Sequence, residues 1–217
     1  MSTSTAANRA ARGSARDLLR SATGIVHQRL DDAMSARDWT DAAHYSTFLL
    51  VQADVLPAVE DALVRVGFDR ALPGWSPTRR GASLHEDLAG LDVARPVPDP
   101  WPLPLDDGTA WGVAYVLEGS RLGGKLLLRR AQASPLPAVR RNTRFLGHSE
   151  AVRWPIFLAS MEAALPGDAE RKRAVRGAHG VFDAYMAAVE RRACDAPVAA
   201  MASYGEAMSS FGGVEAA

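Results

Sequence analysis

Five histidines are the side chains here best suited to metal or proton chemistry, and their neighbours sort them. His148 falls in a loop-like stretch, His44 and His85 sit at the edges of apolar stripes, and His179 stands nearly in line with Val175, Phe182 and Met186. Those are settings of ordinary structural or surface histidines. His27 keeps different company. Arg20 lies seven residues earlier, which on a helix is within about 20° of the same face and roughly 10 Å along the axis. A ligand with a metal centre and carboxylates at its edge would span that distance, and so would a histidine beside a solvated arginine on a helix shoulder.

The second unusual pattern is Gly108–Arg130, GTAWGVAYVLEGSRLGGKLLLRR. Ala110, Val113, Leu117, Leu122, Leu126 and Leu127 are spaced for a helix, and Lys125, Arg129 and Arg130 come late, where cations suit the helix dipole. Yet Gly112, Gly119, Gly123 and Gly124 stand inside it, each costing roughly 1 kcal/mol against alanine. Gly112, Gly119 and Gly123 share a face, with Gly124 a step round. Two readings fit this bare face. It lets another helix approach closely, or it bends over a planar ligand, as Gly-Ser and Gly-Gly pairs allow.

Other chemistries are excluded by spacing. No Glu is followed three residues later by His, which removes the carboxylate-bridged di-iron bundle. Ser120 is not in a hydrolase elbow, because Glu118 occupies the place of the first glycine. The single Cys194 rules out an internal disulfide and a thiolate cluster, and fits a reducing compartment. No phosphate-cradling loop and no flavin or nicotinamide motif is present. Lys+Arg and Asp+Glu both number 25, so no net field draws nucleic acid or anionic membrane. With no apolar run of membrane-spanning length and no signal-peptide core, a cytoplasmic protein is expected.

The elements that must position His27 and the glycines read as helices throughout. Ser14 caps a first helix to about Ala36, with Leu18, Leu19, Ala22, Val26 and Leu30 as its stripe. Asp38 or Thr40 opens a second, which Pro57 bends or restarts before it ends at Gly67. A short helix over about Arg79–Leu91 precedes PVPDPWPLP, an extended crossing segment near polyproline II. The Gly-rich helix follows, then a basic patch (Arg140, Arg141, Arg144), a helix over about Val152–Leu165 and a long one over about Ala169–Ala193. No alternating β pattern occurs. The expectation is an all-α, single-domain helical bundle over residues 14–193, with a disordered tail at 1–13 and a weakly ordered one at 194–217.

Two segments together resemble the haem oxygenase family. Leu19-Arg20-Ser21-Ala22-Thr23-x-x-x-His27-x-x-Leu30-Asp31 is similar to its proximal-helix motif. Tyr115-Val116-Leu117-Glu118-Gly119-Ser120-Arg121-Leu122-Gly123-Gly124 is similar to its distal-helix motif, in the form of bacterial members that supply biliverdin to phytochromes. The resemblance implies a bundle that sandwiches haem between a proximal N-terminal helix and a kinked Gly-rich distal helix. It implies His27 as the iron ligand and Arg20 as partner of a haem propionate. Gly119, Ser120 and Gly123 would stand at the reacting side, with Gly124 and Phe182 also against the haem. Haem would be both cofactor and substrate. O2 would be consumed, with biliverdin, CO and ferrous iron as products. An external reductase or ferredoxin-type donor would supply electrons, and a phytochrome would accept the bilin. Animal members carry a distal aspartate where Ser120 stands; bacterial relatives share the serine. A haem carrier or sensor of the same fold is the alternative function, and a scaffold whose glycines only pack helices is the third.

Overall fold

The first helix, α1 (Ala15–Ser35), starts where Ser14 caps it: Ser14 Oγ accepts from the Asp17 amide at 3.0 Å. The structure, a computed structural model, describes residues 13–35, 41–149 and 151–209. Residues 1–12 and 210–217 of the two expected tails lie outside the described residues, as do Asp38 and Thr40. The cap of α2 (Ala42–Arg65) is Asp41, whose carboxylate accepts from the Ala43 amide at 2.8 Å. Pro57 neither ends nor restarts α2, which continues through it.

Single 3-10 turns at Phe68–Arg70 and Ser76–Thr78 lead to α3 (Gly81–Gly90). An extended segment then reaches α4 (Asp107–Gln132), the Gly-rich helix, opened by a capping box between Asp106 and Thr109. Two short helices follow, α5 (Pro137–Arg141) and α6 (Arg144–Gly147), where only a basic patch was expected. They are too short to show a period in sequence. The chain closes with α7 (Trp154–Ala164) and α8 (Asp168–Ser209); α8 continues well past the expected end near Ala193. Among the described residues there is no strand, so the all-α expectation holds.

The bundle is built around α8, against which α4, α1 and α2 all pack. Leu19, Leu49, Leu63, Val113, Phe157 and Val181 are fully buried in its core. Each removes apolar surface worth about 1.5–3 kcal/mol. Of the residues counted in the α1 stripe, Leu18 is 41% exposed, whereas Leu19 is fully buried.

Two buried carboxylates pin the connections beside the site. Glu60 of α2 accepts from the Arg80 and Gly81 amides at 2.7 and 3.1 Å, so it supplies the acceptors that α3 lacks at its start. Asp87 of α3 does the same for α6, accepting from the Arg144 and Phe145 amides at 2.9 and 2.8 Å. Burial raises the pKa of both, and the amide hydrogen bonds oppose it. At the other end, Arg171 ties the Gly13 and Leu165 carbonyls to Glu162, and Glu162 accepts from the Ala15 amide at 2.7 Å. This knot fixes α1, and therefore His27, against the α7–α8 turn.

Candidate functional site

A cleft of about 690 Å³ opens between α1 and α4. Its size suits a bulky organic ligand. α1 contributes Arg16, Arg20, Thr23, Gly24, His27 and Asp31 to its walls, and α4 contributes Tyr115, Gly119, Ser120, Leu122, Gly123 and Leu126. Phe48 and Gln52 of α2, Trp154 of α7, and Phe182 and Tyr185 of α8 close the back. Two of the apolar wall residues, Leu122 and Leu126, are 51% and 69% exposed, an unusual waste of apolar surface unless something covers them.

On the α1 wall, His27 Nδ1 lies 2.9 Å from Asp31 Oδ2, one helical turn later. The carboxylate accepts a hydrogen bond from Nδ1–H, which favours that tautomer and leaves the Nε2 lone pair for a metal. Phe182 meets the imidazole edge-on, ring centroids 5.7 Å apart, and limits its rotation. A single imidazole suits a metal that brings its own equatorial donors; among the described residues no three His, Cys, Asp or Glu side chains converge on an ion. Asp31 was not singled out as a site residue in the sequence, although its place four residues after His27 was the available signal.

On the α4 wall the glycine face divides into two parts. A side-chain carbon on Gly112 would run into the Ala174 carbonyl of α8, and one on Gly108 would meet Arg173 and Glu170. From the other side, Gly177 of α8 leaves room for the Thr109 carbonyl. Gly112 therefore serves helix packing, although it shares a helix face with the cleft glycines. At Gly123 an added carbon would meet nothing within 4 Å, and at Gly119 only the Trp154 ring at 3.8 Å. These two border open space in the cleft. Gly124 is buried and does not line the cleft, unlike the other residues expected there.

Ser120 is held rather than free. Its hydroxyl donates to the Leu117 carbonyl at 2.7 Å and accepts from Arg80 Nη2 at 2.9 Å. Arg80 is buried, with its guanidinium 5.0 Å above the Phe145 ring. Burial and then the neighbouring Arg121 lower its pKa to about 10, so it stays charged at neutral pH. Glu118 is buried behind this group, pairing with Arg121 Nε at 2.9 Å and accepting from Trp75 Nε1 at 3.2 Å. Tyr185, which lines the same cleft, donates to Gln52 Oε1 at 3.1 Å, which leaves the Gln52 amide group as a donor. Burial raises the Tyr185 pKa, so the phenol remains protonated. Arg80, Gln52 and Tyr185 come from elements far apart in the chain, and nothing in the sequence links them to Ser120.

At the mouth, Arg16 joins Arg20 one turn earlier on α1, both exposed and both on the cleft. Tyr115 faces their charges: burial raises its pKa and the two arginines lower it. This edge can hold two carboxylates. Arg16 was legible from its spacing, four residues before Arg20. Arg153, at the start of α7, does not line the cleft.

An all-helical bundle with one oriented imidazole and a bare peptide wall, carrying cations at its mouth, has the form a flat, anionic, metal-centred ligand would require. The family model described as Heme oxygenase matches residues 106–191. A heme oxygenase of Xanthomonas campestris pv. campestris (strain 8004) is 34% identical over 112 residues, 50% of this chain and 66% of that protein. Heme oxygenase PigA of Pseudomonas aeruginosa is 26% identical over 179 residues, 78% of this chain and 88% of that protein. The structure of the NO- and CO-bound heme oxygenase from Neisseria meningitidis shares the fold, with a TM-score of 0.65 at 22% identity over 82% of this chain and 92% of that one. These matches support the haem oxygenase family for this chain, and haem is the ligand that family implies. Among the described residues no helix is long and apolar enough to cross a membrane.

Proposed function

We propose that this chain cleaves haem oxidatively to biliverdin, CO and ferrous iron, using O2 and an external electron donor. The observation that carries this reading is the His27–Asp31 pair on one wall of a cleft whose other wall is bare backbone at Gly119 and Gly123. Bound haem supplies the iron that activates O2 and the ring that is oxidised.

The residues divide that work. His27 Nε2 would hold the iron, and Asp31, by accepting a hydrogen bond from Nδ1–H, fixes the plane of the imidazole. An imidazole pushes less electron density to iron than a thiolate would. Phe182 packs on the imidazole edge. Arg20 and Arg16, with Tyr115, pair with the ring's carboxylates at the mouth. Gly119 and Gly123 let the ring come close to α4, which limits the edge open to attack. Ser120 keeps its hydroxyl proton on the Leu117 carbonyl, so it accepts hydrogen bonds from the cleft. The Gln52 amide group, whose carbonyl oxygen accepts from the Tyr185 hydroxyl, presents a donor in the same cleft, giving ordered water a partner for delivering protons.

Electrons come from a reductase or ferredoxin-type protein, the reaction takes place in the cytoplasm, and a phytochrome accepts the bilin. The test is aerobic incubation of the haemin-loaded protein with ascorbate. A green bilin and CO are expected. A stable ferric or oxy complex would instead mark a carrier or sensor.

A further inference from the structure

Pro96, Pro98, Pro100, Pro102 and Pro104 strip amide donors from the segment that crosses between α3 and α4. Residues 94–105 form no hydrogen bond among the described residues. Between its ends such a strap is held by its side chains alone, and two of them reach α8. A side-chain carbon on Gly180 would run into Leu103 Cδ1 and lie 3.5 Å from the Trp101 ring, so this glycine is the seat on which both rest. Trp101 is only 9% exposed, yet its indole N–H has no acceptor. A buried donor left unmet is unfavourable, so the ring sits there for its bulk and not for its polar atom.

The seat lies behind the cleft. At 100° per residue, Gly180 and Phe182 stand about 160° apart on α8. The strap therefore presses on one side of the helix, while Phe182, on the other, meets the His27 imidazole edge-on. Beyond the seat the back of α8 is thin. Gly180, Ala184 and Ala187 fall within an arc of about 60°. A hollow of about 300 Å³ lies over the two alanines, closed by Val55 and Ala58 of α2 and by Pro100 and Pro102 of the strap. Small side chains and empty space give α8 room to recede from the cleft at this level. The Trp101 ring is the bulk that stops it.

We infer that Trp101, with Leu103 beside it, is a positioning residue for the haem site: by filling the seat at Gly180 it holds α8 forward, so that Phe182 keeps the His27 imidazole in the plane that iron requires. The inference rests on the haem reading of the cleft. Neither strap residue lines the cleft, so any effect on haem passes through α8.

The test is a Soret titration of the full chain with haemin, made on Trp101→Ala, Phe182→Ala and the double variant. Trp101→Ala should weaken haemin binding about ten-fold. The double variant should bind no more weakly than Phe182→Ala alone, because the strap acts through that ring. Trp101→Phe keeps most of the bulk and removes the unmet donor, and should bind haemin as the unaltered protein does. In the ferrous complex, the resonance Raman band of the iron–imidazole stretch should shift or broaden in Trp101→Ala and keep its position in Trp101→Phe. Losses that multiply in the double variant would overturn the inference, as would unchanged affinity in Trp101→Ala. So would lower affinity with the Raman band unmoved, which is the mark of a merely structural role. Should Trp101→Ala fail to fold, Leu103→Ala removes a 39% exposed side chain from the same seat and carries the same comparison. A smaller loss is expected there, again absent in the Phe182→Ala background, and no loss would overturn the inference. Absence of a Soret band from the unaltered protein with haemin would defeat the haem reading itself; every other outcome bears on the strap alone.

Discussion

The two halves of α4 use glycine for opposite purposes. Around Gly108 and Gly112 the missing side chains are replaced by α8, whose Ala174 carbonyl occupies the space a Cβ would take. Around Gly123 nothing of the protein replaces them, at Gly119 only the Trp154 ring comes near, and the helix borders an open cleft. In the first half the glycine cost of roughly 1 kcal/mol each is offset by close packing. In the second it is offset by nothing within the protein, which is the pattern expected where a ligand completes the fold.

That contrast can be broken by substitution. Gly112→Leu should lower the unfolding free energy by about 3 kcal/mol or more, since a side chain there meets backbone and the helices must separate. Urea denaturation reads it; unchanged stability would show that the α4–α8 contact is looser than described. Gly123→Leu should fold normally yet weaken haemin binding about 100-fold, by filling the slot. A Soret titration alongside a melting curve separates the two effects, and normal affinity would remove Gly123 from the haem wall.

Asp31→Ala keeps both helices but frees the His27 Nδ1 proton, and should cost about 10- to 100-fold in haem affinity. Equal affinity would mean that the imidazole is oriented by Phe182 alone. The smallest effect sharpens the comparison most. Gly123→Ala in the haem-free protein should raise stability by up to about 1 kcal/mol, because its Cβ enters open space, whereas Gly112→Ala should lower it. The same sign at both positions would erase the distinction between the halves.

Helix identity and order were legible because the apolar periods are long and Ser14 and the glycines punctuate them. The His27–Arg20 spacing and the cleft glycines were legible for the same reason: they are local, within a few turns of one helix. Gly112 was grouped with Gly119 and Gly123 because periodicity reports which face a residue is on, and the neighbour changes along that face. Asp41 replaced Asp38 and Thr40 as the cap of α2, a choice among nearby polar residues that sequence does not rank. The Arg80–Ser120 and Tyr185–Gln52 contacts span 40 and 133 residues, and only the folded chain brings them together.

The central claim is that haem is held by His27 across from naked α4 backbone. Its most direct test is the visible spectrum of the haemin complex of His27→Ala, before and after addition of free imidazole. The account predicts loss of the imidazole-ligated spectrum in the variant and its return when imidazole fills the space the side chain left. A spectrum identical to that of the unaltered protein, with no response to imidazole, would contradict it.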